Sequence, residues 1–173
     1  MRKDETMEYK RLYLAYGSNI NLEQMAYRCP TAKVIGATLL PNQELNFRRV
    51  ATIDPKEGAE VPVLVWEIGQ QDEINLDYYE GFPRMYRKEI FELEVNGKMR
   101  ECMAYVMNHG GISPPSSQYY NGIKQGYEAN GMDTSYLRAA LERAVQYVQG
   151  QDQEDENIEE DMEETDDMQL RME

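Results

Sequence analysis

Apolar positions along the chain alternate in short runs at first and fall into helical spacing later. Arg11–Tyr16 puts Leu12 and Leu14 on one face and Tyr13 on the other, the period of a strand. The run stops at Gly17-Ser18-Asn19, and Asn21 followed by Gln24 forms a capping signal. Leu22, Met25, Ala26 and Cys29 then share a helical face that ends at Pro30. The unit is strand, glycine turn, helix. Lys33–Leu40, Glu44–Ile53 and Val61–Ile68 are rich in branched and aromatic residues, and polar, proline-bearing segments separate them, so each predicts its own strand. Asp72–Glu80 predicts a short helix stopped by Gly81, with Pro83 beyond.

Tyr86–Val95 and Lys98–Met107 flank Asn96-Gly97, a strong hairpin signal. A two-residue turn there sets Val95 opposite Lys98, Lys88 opposite Tyr105 and Tyr86 opposite Met107. Tyr86 and Tyr105 then share one face as diagonal neighbours. Asn108–Ser117 predicts a loop, Tyr119–Asn130 a helix closed by Gly131, and Thr134–Gln149 a last amphipathic helix. The elements give an α+β domain over residues 11–150, preceded by a short extension at 1–10.

Charge redraws the C-terminus. The 173 residues carry 32 acidic and 18 basic side chains, and residues 151–173 hold 12 of the acidic ones and one basic. That segment, without aromatics, predicts a disordered acidic tail. The rest is close to neutral, which argues against a nucleic-acid surface. No apolar run reaches the ~20 residues of a membrane span. The start has no apolar signal core, whether translation opens at Met1 or Met7. Two cysteines, Cys29 and Cys102, make no disulfide framework, which points to a reducing cytoplasm. His109 is the single histidine, so multi-histidine metal motifs are absent and carboxylates are the natural proton carriers. His109 reads as a surface loop residue, both cysteines as packing groups, and Trp66 as core.

Three features carry chemistry. The turn that ends Tyr13-Leu14-Ala15-Tyr16-Gly17-Ser18-Asn19 exposes backbone N–H groups ahead of a helix, suited to a carboxylate or an oxyanion. Glu80 closes its helix, where the dipole and any burial both raise its pKa towards that of a general base near neutrality. Tyr86 and Tyr105 form either a pocket wall or ordinary core.

In this order the motifs resemble the γ-glutamylcyclotransferase (AIG2-like) family. Leu12–Asn19 resembles its glycine-turn signature, Leu76-Asp77-Tyr78-Tyr79-Glu80-Gly81 with Met85-Tyr86 its catalytic-glutamate segment, and Ser113–Tyr119 with Glu128-Ala129-Asn130-Gly131 its C-terminal part. The resemblance implies a mixed, partly barrel-like β-sheet packed with a few helices. It also implies cyclisation of γ-glutamyl amides to 5-oxoproline without cofactor or metal. Glu80 would be the catalytic residue, and Tyr13, Leu14, Ala15, Tyr16, Gly17, Ser18, Asn19 and Tyr119 the substrate-binding set. The partner would be a small γ-glutamyl molecule, and the setting glutathione metabolism. A γ-glutamylamine substrate and a catalytically silent binding domain on the same fold are the alternatives. Gly81-Phe82-Pro83-Arg84 departs from the Gly-Val-Lys-Ser-Gly linker of animal relatives, and the acidic tail has no counterpart in that branch.

Overall fold

The computed structural model describes residues 9–171; the segments 1–8 and 172–173, with both alternative start methionines, lie outside the described residues. Five strands form one sheet in the order β2-β3-β1-β5-β4. They are β1 (Arg11–Ala15), β2 (Lys33–Arg48), β3 (Val50–Ile68), β4 (Tyr86–Val95) and β5 (Lys98–Met107). Four helices accompany them: α1 (Leu22–Arg28), α2 (Gln70–Glu80), α3 (Ser117–Ala129) and α4 (Ser135–Arg171). β1 sits centrally, antiparallel to β3 and parallel to β5, which makes the sheet mixed. Its edge strands approach where a Cβ on Gly36 would lie 3.5 Å from Asn96 Oδ1, yet the strand order stays open rather than closing into a barrel.

The β4–β5 hairpin has the register that the Asn96-Gly97 turn dictates, with Tyr86 paired to Met107 and Lys88 to Tyr105. The segment 33–68 differs from expectation. Instead of three strands it folds as two long ones that pair along their length and meet at Arg49. Glu44–Ile53 is therefore not one strand, because the chain reverses inside it. Arg49 takes φ 66°, and the reversal is held from outside: Arg49 N–H donates to Ser113 O, and Ser113 N–H donates to Phe47 O, each at 3.0 Å. Pro41-Asn42, expected to break the strand, makes only a bulge, with Asn42 at φ 59°.

The core runs through Leu14, Phe47, Ile53, Val65, Met103 and Tyr127. Trp66 is buried, as are both free cysteines. α3 packs on the turn after β1 almost backbone to backbone. A Cβ on Gly126 would lie 2.7 Å from the Ile20 carbonyl carbon, so only glycine permits the approach. Asn21 Nδ2 donates to Gly122 O at 3.0 Å and Asn130 Nδ2 to Ile20 O at 3.2 Å across the same contact.

α4 buries Leu137, Ala140 and Ala144 against the domain, and Arg143 donates to Leu45 O at 2.6 Å. In place of a disordered tail from 151, the helix runs on to Arg171, with every side chain from 151 to 165 exposed. The physical reason is local. No Gly or Pro follows Gly150, and Glu, Gln and Met extend a helix that is already nucleated and docked. Among the described residues, no helix is long and apolar enough to cross a membrane.

Candidate active site

A cavity of about 330 Å³ opens where β1 ends. Its walls come from the Gly17–Asn19 turn, the start of β3, the end of α2, β4, β5 and the first turn of α3. Of the fifteen residues that line it, seven are tyrosines and one, Glu80, is charged.

Each wall has a local cause. Asn21 caps α1 by accepting from Gln24 N–H at 3.1 Å, and the preceding residues tighten into a single 3-10 turn, Ser18–Ile20. The leading N–H groups of such a turn find no acceptor within it. Asn19 is buried and braced on three sides: its Nδ2 donates to Tyr13 Oη at 2.9 Å, its Oδ1 accepts from Arg28 at 2.5 Å, and its carbonyl accepts from Trp66 Nε1 at 3.2 Å.

Glu80 is the last residue of α2. Gly81 ends the helix in the left-handed region at φ 65°, where Phe82 N–H returns to Asp77 O at 2.9 Å. α2 is tied down at both ends. Asp72 accepts from Gly69 N–H at 3.0 Å and from Thr31 Oγ1 at 2.7 Å. Lys88 bridges Glu73 at 3.0 Å and Asp77 at 2.8 Å, and Tyr105 donates to Asp77 at 2.5 Å. The Glu80 carboxylate is thus presented from a clamped helix end, one turn after Asp77.

Burial raises the Glu80 pKa to about 7, and the opposing pull of Arg28 only partly offsets it. Burial also raises Tyr13, Tyr16, Tyr86, Tyr105 and Tyr119, so all five stay protonated at physiological pH. Their hydroxyls are engaged: Tyr16 donates to the Tyr105 carbonyl and Tyr86 donates to Ala51 O at 3.0 Å. Tyr119 accepts from Ala51 N–H at 3.0 Å. Ala51 is therefore gripped on both sides of its backbone by tyrosines from β4 and α3.

The structure brings Glu80, Tyr13, Tyr16, Gly17, Ser18, Asn19, Tyr119, Tyr86 and Tyr105 to one cavity. Leu14 and Ala15 do not line it and lie buried in the core. Sequence reasoning missed Val50 and Ala51, which carry no polar side chain, Met85, and Tyr78 and Tyr79, which were legible as an aromatic pair just before Glu80. It also missed Arg28, which bonds Ser18 Oγ at 3.1 Å. Among the described residues, no group of three or more His, Cys, Asp or Glu side chains is placed to hold a metal ion.

This arrangement has relatives. Residues 13–129 match the model of the family described as gamma-glutamyl cyclotransferase, AIG2-like. The chain belongs to that family. It is 32% identical over 141 residues to human gamma-glutamylcyclotransferase, covering 72% of this chain and 74% of that protein. The bovine gamma-glutamylcyclotransferase is 31% identical, with 73% and 75% covered. A solved gamma-glutamyl cyclotransferase structure superposes with a TM-score of 0.69 at 29% identity, covering 76% of this chain and 86% of its own. The match spans both sides of the cavity, from Tyr13 in β1 to the end of α3.

Proposed function

We propose that the protein is a γ-glutamylcyclotransferase. It converts a γ-glutamyl amide with a free α-amino group to 5-oxoproline and releases the amine or amino acid. The observation that carries this reading is Glu80: a carboxylate with a pKa near 7, facing the same cavity as the Gly17–Asn19 turn.

The chemistry needs little machinery. The substrate's own α-nitrogen attacks its γ-carbonyl carbon, so holding the chain folded supplies much of the barrier reduction. The new C–N bond closes the lactam and the old amide C–N bond breaks. Two protons leave the α-ammonium and two arrive on the departing nitrogen, and ionised Glu80 carries them one at a time. N–H groups of the Gly17–Asn19 turn hold the α-carboxylate or the tetrahedral oxyanion, and Tyr119 with Tyr86 closes the wall behind Ala51. The nucleophile is part of the substrate, so no cofactor enters. Glutathione metabolism fits this reaction class, and two free cysteines fit a cytoplasmic setting.

Product detection tests the reading. Incubation with γ-glutamyl-alanine should give 5-oxoproline and alanine in equal amounts, without free glutamate. The N-acetylated substrate should give neither, because its nitrogen is no longer a nucleophile. Free glutamate as first product, or cleavage of the blocked substrate, would mean that water or a side chain attacks.

A further inference from the structure

Resting on that reading, we propose that Tyr78 and Met85 form a leaving-group subsite that selects apolar side chains and rejects acidic ones. The interior of the cavity is closed: Tyr13, Tyr16, Tyr86 and Tyr105 are buried, and Ala51 seals the back between Tyr86 and Tyr119. A γ-glutamyl group held there, with its carbonyl at Glu80, must point its amide substituent outwards. The most exposed lining side chains are Tyr78 at 91% and Met85 at 57%, followed by Tyr79 at 46%, whose ring is covered by Arg28. Exposed apolar side chains at a cavity mouth are an unusual use of surface and mark contact with a ligand.

Met85 is seated against the catalytic helix end. A Cβ on Gly81 would lie 2.9 Å from Met85 Cγ, so the Met85 side chain packs against the residue that follows Glu80. An unbranched thioether adapts to varied apolar shapes.

Charge gives the other half of the selection. Among the described lining residues Glu80 alone is charged, so the lining itself offers an acidic leaving group a like charge. Arg28 lies outside the lining, with its guanidinium held by Ser18, Asn19 and the Tyr79 ring. The lining supplies contact area for a Leu- or Phe-like group and no cationic side chain for a Glu- or Asp-like one, the nearby Arg28 being already engaged.

The test compares γ-glutamyl-leucine, γ-glutamyl-glycine and γ-glutamyl-glutamate on the wild-type protein at pH 8. We expect kcat/KM for the leucine compound to exceed that for the glutamate compound at least ~10-fold, the usual size of discrimination by an apolar pocket. In Tyr78→Ala/Met85→Ala the leucine-to-glycine ratio should fall towards one. Equal turnover of all three, or preference for glutamate, overturns the subsite. A ratio that survives the double substitution overturns the assignment to Tyr78 and Met85. No 5-oxoproline from any compound would instead sink the cyclisation reading, and the subsite with it.

Discussion

The guanidinium carbon of Arg28 lies 3.6 Å from the centre of the Tyr79 ring. The same guanidinium donates to Ser18 Oγ and Asn19 Oδ1, so one side chain from α1 joins the Gly17–Asn19 turn to the residue before Glu80. A cation packed on an aromatic face is worth about 0.5–2 kcal/mol, more as it is desolvated. Arg28 also pulls the Glu80 pKa down against burial. Arg28→Met should therefore raise KM and move the acid limb of the kcat/KM profile to higher pH. Arg28→Lys keeps the charge but not the planar fork, so it should raise KM and leave the limb in place. The groups facing Glu80 besides Arg28 are tyrosines, from β1 (Tyr13), the turn (Tyr16), α2 (Tyr79), β4 (Tyr86) and α3 (Tyr119). Burial keeps Tyr13, Tyr16, Tyr86 and Tyr119 neutral across this range, so a limb unmoved in Arg28→Met would refute the electrostatic role.

Gly17 faces two side chains of the site. A Cβ there would lie 3.2 Å from Ala51 Cβ and 3.3 Å from Tyr119 Oη. Gly17→Ala must shift the hydroxyl by a few tenths of an ångström and so strain the bond that it accepts from Ala51 N–H. The expected result is a stability loss of about 1–3 kcal/mol, as for a small overpacking defect, with a clear rise in KM. Tyr119→Phe removes the acceptor without crowding, leaves Ala51 N–H unpaired and should cost a similar amount. Thermal melts together with turnover check both. A Gly17→Ala protein with unchanged KM would mean that the turn does not contact substrate.

What the sequence revealed follows the range of the interactions involved. The β4–β5 register was legible because Asn96-Gly97 fixes it within two residues. The end of α2 was legible because Gly81 supplies the left-handed cap that leaves Glu80 terminal. The reversal at Arg49 was not, because two consecutive arginines encode no turn and the bonds that hold it come from Ser113. Ala51 was invisible for the same reason: its role is a backbone gripped by Tyr86 and Tyr119, 35 and 68 residues away. Arg28 looked like an ordinary basic helix end until α2 brought Tyr79 against it. After Gly150 net charge argues for disorder and residue propensity for helix, and the structure continues α4 to Arg171.

The extended half of α4 bears on function only if it touches the domain. All side chains from 151 to 165 are exposed, and the buried contacts of α4 end at Ala144. Removing residues 151–173 should therefore leave the melting temperature and the cyclisation rate unchanged. It should also lower the far-UV helical signal by the share those turns supply. A melting temperature several degrees lower would show that the acidic segment supports the domain. An unchanged helical signal would show that the segment carries no helix in solution.

The burial that makes Glu80 useful also makes it costly. Its native pKa of about 7 stands above the ordinary carboxylate value of 4.5, so the native state binds this proton more tightly than the unfolded chain does. Below pH 4.5 the group is protonated in both states and exacts no penalty. Between pH 4.5 and about 7 the unfolded chain releases its proton first, and stability falls as pH rises. Above pH 7 the penalty is complete, at most about 3 kcal/mol from the size of the shift. Turnover runs the other way, because only the ionised carboxylate takes a proton from the α-ammonium, so kcat/KM should climb through a midpoint near 7 and level off. Glu80→Gln separates the two effects. It removes the base, so turnover should fall at least ~10²-fold. It also removes the half-buried charge, so the variant should melt higher than wild type at pH 8 and level with it at pH 4. Near-normal turnover would remove Glu80 from the mechanism. A variant that melts lower than wild type at pH 8 would mean that ionised Glu80 is stabilised by its surroundings rather than strained by them.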